Sequence, residues 1–169
     1  MNVILCGMMG CGKTTVSLAL AKRLGWERAD TDELIVSRYG KIADIFAKQG
    51  EGYFRGLETQ VAAELSQKDR LVISTGGGFV LKEENVKLLK EKGVIVYLQA
   101  SLSTLVKRLR EDVDRPLLQG GEGLEKRLIS LLSARAPIYE SVADYTVHTD
   151  EKTPEEIANE IVGYVQVEK

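Results

Sequence analysis

Gly7, Gly12, Lys13 and Thr14 in "GMMGCGKTT" (Gly7–Thr15) stand at the spacing G-x-x-x-x-G-K-[ST]. Glycines at those places let backbone N–H groups close on phosphate oxygens, and a helix starting near Lys13 adds the positive end of its dipole. Lys13 would bridge the β- and γ-phosphates of a nucleotide, and the Thr14 hydroxyl would ligate Mg²⁺. A plain glycine-rich turn is the bland alternative. The apolar run before the loop and the helical pattern after it favour phosphate. Cys11, inside the loop, reads first as a small residue that fits. An activated thiolate at a helix N-terminus is the lesser reading.

Proteins with such a loop commonly place a metal-supporting aspartate at the end of another strand. "LVIST" ends in Ser74-Thr75, so the acid must come from elsewhere, and Asp30, which closes the adjacent strand, is the natural candidate. Asp32, two residues on, could face a ligand or simply favour a helix dipole. Gly76-Gly77-Gly78 could be an ordinary turn, but three glycines cost backbone entropy and argue for close approach of a ligand or another backbone. Arg55 in "YFRGLE" and Arg135 in "SARAPIY" read by default as solvated surface arginines. His148, the only histidine, reads as structural. Thr153-Pro154-Glu155-Glu156 makes a capping box with proline at the first helical position, which by itself explains Pro154.

The elements that must position these residues alternate from end to end. "NVILC" (Asn2–Cys6) is a short apolar strand closed by Gly7. Thr14–Leu24 has helical spacing and Gly25 as its stop. "WERAD" is a weak strand ending at Asp30, and Thr31 is a plausible N-cap for a helix through Arg38. "IADIFAKQ" and "EGYFRGLETQVAAELS" are helical, divided by Gly50. "LVIST" (Leu71–Thr75) is a strand. Glu83–Lys92 is a helix stopped by Gly93, and "VIVYL" (Val94–Leu98) is the strongest strand signal. Helix Ser101–Arg110, the polar stretch "EDVDRPLLQGGEG", helix Leu124–Tyr139, the strand "YTVH" and a last helix from Thr153 complete the chain. Such alternation predicts a parallel sheet with helices on both faces. Ligands then sit beyond the carboxyl ends of the strands, and the residues with chemistry do follow strands.

Bulk properties narrow the class. The chain of 169 residues reads as one domain (1–169), and 44% hydrophobic with 28% charged residues is an ordinary globular balance. A formal net charge of −2 without a basic block gives no nucleic-acid footprint. No signal peptide and no membrane-length apolar run are visible. Cys6 and Cys11 are wrongly placed for a disulfide framework or a metal site. The expectation is a soluble, cytoplasmic protein without structural metal. Guanine-specific GTPases carry an N-K-x-D element, absent here, and ring ATPases need longer chains.

Size favours a small-molecule kinase of the nucleoside-monophosphate-kinase architecture. Within that group the chain resembles the shikimate kinase family over essentially its whole length. The matching elements, in order, are "GMMGCGKTT", "DTD" (Asp30–Asp32), "IADIF", "FRGLE" (Phe54–Glu58), "STGGG", "RPLL" (Arg115–Leu118), "RAPIY" (Arg135–Tyr139) and the late Pro154. The loop alone is generic; the ordered set is specific. The resemblance implies a three-layer α/β/α P-loop kinase fold with a central parallel five-stranded sheet. It adds a helical substrate-binding insertion at about 31–60 and a lid at about 111–123. It implies a monomer that transfers phosphate from ATP, with Mg²⁺, to shikimate in aromatic amino-acid biosynthesis, with no nucleic-acid or membrane partner.

By the same resemblance, Asp32 would hold the shikimate hydroxyls and Arg55 and Arg135 its carboxylate. Gly77 and Gly78 would line the acceptor site, and Glu58 would hold Arg55. Gly10, Cys11, Gly12, Lys13, Thr14 and Thr15 would cradle ATP, with Arg108 and Pro154 flanking adenine. Arg115 would come down on the transferring phosphate. Lys13, Asp32 and Arg115 would be catalytic, and Thr14 with Asp30, through water, would hold the metal. Whether Asp32 takes a proton or only orients the hydroxyl stays open. Another hydroxyacid kinase, such as gluconate kinase, is the alternative activity, and a non-catalytic nucleotide-binding module is the alternative class.

Overall fold

A computed structural model describes residues 1–111 and 123–167. Strand β1 (Asn2–Cys6) is buried at every position, as is β3 (Leu71–Ser74). Near-continuous apolar runs of this kind belong to strands covered by helices on both faces. They join β2 (Glu27–Asp30), β4 (Gly93–Gln99) and β5 (Tyr145–His148) in one sheet of order β2-β3-β1-β4-β5. All four pairings are parallel. The expected five-stranded parallel sheet is therefore present.

Helix α1 (Lys13–Leu24) leaves the glycine loop after Gly12, whose φ of 99° suits a residue without a side chain, and stops where the Gly25 N–H returns to the Ala21 carbonyl. Between β2 and β3 the chain inserts α2 (Thr31–Tyr39), α3 (Ile42–Gln49) and α4 (Glu51–Ser66). Phe54, Leu57, Val61, Ala62 and Leu65 form the buried stripe of α4. After β3 come a single 3₁₀ turn (Phe79–Leu81) and α5 (Glu83–Lys90). Then follow α6 (Leu102–Glu111), α7 (Gly123–Val142) and α8 (Pro154–Val167), which packs on α1.

Several boundaries move for physical reasons. Gly93 does not stop a helix; it opens β4 and pairs with Asn2, and a Cβ there would meet the Asn2 carbonyl oxygen at 2.9 Å. Asp30, not Thr31, caps α2, its carboxylate accepting the Glu33 N–H at 3.0 Å. β3 lies between β1 and β2, and Asp30 stands opposite Ser74, so Asp30 closes the strand adjacent to "LVIST" as expected. α7 runs through Pro137 to Val142, because one lost backbone bond is tolerated where Leu124, Leu128 and Tyr139 hold the helix to the core. The capping box at α8 forms as expected: Thr153 Oγ1 accepts the Glu156 N–H at 3.1 Å, and the Thr153 N–H donates back to the Glu156 carboxylate at 3.4 Å.

Candidate active site

The carboxyl ends of β1, β2 and β3 open on one cavity of about 410 Å³. Its walls include Gly10, Gly12, Lys13, Thr14 and Thr15 from the loop, Asp30 and Asp32 from the start of α2, and Gly76 and Gly77. A larger depression of about 720 Å³ lies along α6 and the start of α7, lined by Lys107, Arg110, Glu111 and Glu125. It contains none of the strand-end residues, so the smaller cavity is the one with chemistry.

Within the loop, Lys13 Nζ donates to the Gly7 carbonyl at 2.6 Å and the Met8 carbonyl at 3.0 Å, and sits 3.7 Å from Cys11 Sγ. The Cys11 side chain is fully buried, and a Cβ on Gly7 would meet its sulphur at 2.9 Å. Cys11 thus fills space beneath the loop. Burial likewise pushes the Cys6 thiol up to about 12, against the pull of Lys13. Arg108 reaches over from α6 and donates to the Gly10 carbonyl at 3.1 Å. Pro154, the first residue of α8, does not line the cavity. Arg115 and residues 112–122 of the expected lid lie outside the described residues.

Asp30 is fixed from two sides. One carboxylate oxygen caps α2, and the other accepts from Arg28 at 3.3 Å. Arg28 also bonds Glu33 at 3.1 Å and Ser17 Oγ at 2.7 Å, while Ser17 donates to the Thr14 carbonyl at 2.7 Å. No sequence motif marks this bridge from Thr14 to Asp30. The available signal was an arginine two places before an aspartate on one strand, hence on the same face.

The glycine triplet explains how distant residues converge. A Cβ on Gly76 would stand 2.7 Å from an Asp32 carboxylate oxygen. One on Gly77 would stand 3.1 Å from an Arg135 guanidinium nitrogen, and one on Gly78 would stand 2.8 Å from Arg55 Cζ. Each glycine admits one charged side chain of a different helix. Asp32, Arg55 and Arg135, far apart in sequence, therefore surround one turn.

Glu58 lies one helical turn from Arg55 and accepts its guanidinium at 2.7 Å while only 1% exposed. Burial raises the Glu58 carboxyl above its ordinary value and Asp32 adds to this, against the opposing pull of Arg55 and Arg135. Burial lowers the Arg55 guanidinium, but its bonds and charge pairs with Glu58 and Glu51 more than reverse that. Arg135 stands against Gly77, beside the buried Tyr139, whose phenol oxygen its guanidinium bonds.

A parallel sheet of order 2-3-1-4-5, a phosphate loop after β1 and charged groups around the β3 turn together define a P-loop kinase of the nucleoside-monophosphate-kinase type. The shikimate kinase family model matches residues 9–166. A shikimate kinase of Thermodesulfovibrio yellowstonii is 45% identical, over 95% of this chain and 92% of that protein. The solved shikimate kinase of Acinetobacter baumannii, in complex with shikimate, superposes with a TM-score of 0.91 at 40% identity, covering 99% of this chain and 94% of that one. That of Bacteroides thetaiotaomicron gives 0.91 at 33% identity, with 98% of each chain covered. The chain belongs to the shikimate kinase family.

Proposed function

We propose that this chain phosphorylates shikimate with ATP to give shikimate 3-phosphate and ADP, and that the 410 Å³ cavity with its glycine turn is where transfer occurs. The observation that carries this reading is the ring of Asp32, Arg55 and Arg135 around Gly76–Gly78, beside the phosphate loop. Two guanidiniums suit a planar carboxylate, and an aspartate suits hydroxyls, so the ring matches a polyhydroxylated ring acid. Lys13 leaves the Gly7 and Met8 carbonyls to meet the β- and γ-phosphates, and Gly10, Cys11, Gly12, Thr14 and Thr15 supply backbone and hydroxyl donors. Arg108, already against Gly10, sits on the adenine side, with Pro154 as its partner across the base. Arg115 would meet the transferring phosphate.

Hard oxygen donors suit Mg²⁺, which keeps several waters and leans on few protein ligands. The Thr14 hydroxyl and the fixed Asp30 carboxylate, both lining the cavity, fit that demand. Bound there, Mg²⁺ would offset phosphate charge. Asp32 orients the acceptor hydroxyl and accepts a hydrogen bond from it. Glu58 keeps Arg55 extended toward the acceptor.

ADP release measured with shikimate, with gluconate and with no acceptor tests the reading. Turnover with shikimate alone is expected. Equal ADP release without acceptor would make this a hydrolase, no ADP release with any acceptor would make it a binding module, and turnover with gluconate alone would reassign the acceptor.

A further inference from the structure

Tyr139 lies four residues after Arg135 on α7, so both side chains share one helix face. It is fully buried, and its hydroxyl donates to the Gly77 carbonyl at 2.6 Å. The Arg135 guanidinium reaches the same phenol oxygen, and Met8 Sδ of the phosphate loop stands 3.9 Å away. The Tyr139 ring packs on Tyr97 of β4, with centroids 5.2 Å apart. One oxygen thus meets three pieces of the site: the loop after β1, the turn after β3, and α7.

We propose that Tyr139 is a positioning residue of the acceptor pocket: its hydroxyl holds the Gly77 carbonyl and the Arg135 guanidinium in one fixed relation. This rests on the reading of Arg135 as a carboxylate ligand. The need for such a tie follows from the geometry. The turn Gly76–Gly78 has no side chains of its own to set its path, and glycine is the least constrained residue. Arg135 can swing through many rotamers, and an arginine loses rotamer freedom when fixed. Tyrosine adds an acceptor for the guanidinium and a donor for the carbonyl at a single atom. Burial raises the phenol well above its ordinary value, despite the pull of Arg135, so the donor proton stays in place at working pH. A ring wedged against Tyr97 cannot follow the arginine if it moves.

Tyr139→Phe removes that one oxygen and keeps the ring. It leaves a buried carbonyl without its donor and the guanidinium without its acceptor, a change expected to weaken shikimate affinity on the order of ten-fold. The KM for ATP should stay within about two-fold, because phosphate groups meet the loop and not this oxygen. Isothermal titration of shikimate into the wild type, Tyr139→Phe, Arg135→Ala and the double variant separates the cases, with circular dichroism and thermal unfolding as controls on folding. The Tyr139→Phe loss should shrink in the Arg135→Ala background, since residues acting as a unit are not additive. Unchanged shikimate affinity with only a lowered Tm would overturn the proposal, as would equal weakening of ATP and shikimate, or full additivity in the cycle. A wild type that neither binds nor turns over shikimate would instead overturn the acceptor assignment itself, so the two failures are distinguishable.

Discussion

Glu58 faces Arg55 from a position only 1% exposed, so its carboxyl is held between desolvation and an opposite charge. Desolvation prevails, and the carboxyl is raised above its ordinary 4.5. Such a group binds more protons folded than unfolded between its two pKa values. Its contribution to stability is therefore greatest below about 4.5 and declines as pH rises through the raised value. Glu58→Gln keeps an oxygen for Arg55 and removes the titration. The stability difference, wild type minus variant, should fall as pH rises above 4.5 and level off once Glu58 is ionised. Urea unfolding of both proteins from pH 4 to 8 measures this, and a difference that is flat or rising with pH would refute it. Residue types alone revealed the phosphate loop, because a fixed spacing carries its chemistry. They did not reveal Arg28 or Tyr139. An arginine on an edge strand looks like a solvent-facing residue, and a tyrosine in a helix looks like core.

Among the elements, β2 was the weakest strand in the sequence for a physical reason. It is one edge of the sheet, partly exposed along its length, so it lacks the apolar run that marks β1 and β3. Edge position also hid the order of the strands. Sequence gave parallel pairing, but only packing decides that β3 is inserted between β1 and β2. The α8 start was fully legible, since a capping box is a local device whose partners are three residues apart. It also offers a clean test. Thr153→Ala should cost about 1 kcal/mol of stability by leaving the Glu156 N–H without its acceptor. Chemical denaturation should show the loss with an unchanged m-value. Turnover at saturating ATP should change little, because Thr153 is not among the cavity walls, whereas the KM for ATP reads any shift of the neighbouring Pro154.

At the scale of the whole molecule, the proposed acceptor pocket exists only when α2, α4, the β3 turn and α7 are folded together. Shikimate therefore binds the native state and not the unfolded chain, and mass action stabilises the fold. At a hundred times its Kd the gain is about 2.7 kcal/mol. For a chain of this size that corresponds to a Tm rise of roughly 5–10 °C. Gly78→Ala should abolish most of this rise, because the new methyl occupies space now held by the Arg55 guanidinium. The stabilisation by ADP with Mg²⁺ should survive. Thermal shift with each ligand separately reads the two effects, and an undiminished shikimate shift in Gly78→Ala would show that Arg55 does not contribute to acceptor binding. The overall fold was readable from alternation and the loop, whereas residue patterns by themselves did not bring three helices onto three glycines; only the family resemblance set Asp32, Arg55, Arg135, Gly77 and Gly78 at one acceptor site. No sequence pattern links positions whose only relation is a shared turn.

The one-to-one facing of Gly76 with Asp32, Gly77 with Arg135 and Gly78 with Arg55 also constrains how this chain can change over generations. A side chain gained at Gly76 or Gly78 must displace the charged group opposite, and one at Gly77 needs Arg135 to give way by a smaller shift, so each step at a glycine is coupled to its charged counterpart. A lineage drifting toward a different acceptor avoids that displacement by losing the charged residue first, which widens the pocket before the glycine is filled. Saturation mutagenesis of these six positions in pairs would register that order as sign epistasis, with each glycine substitution harmful alone and tolerated once its charged counterpart has been replaced.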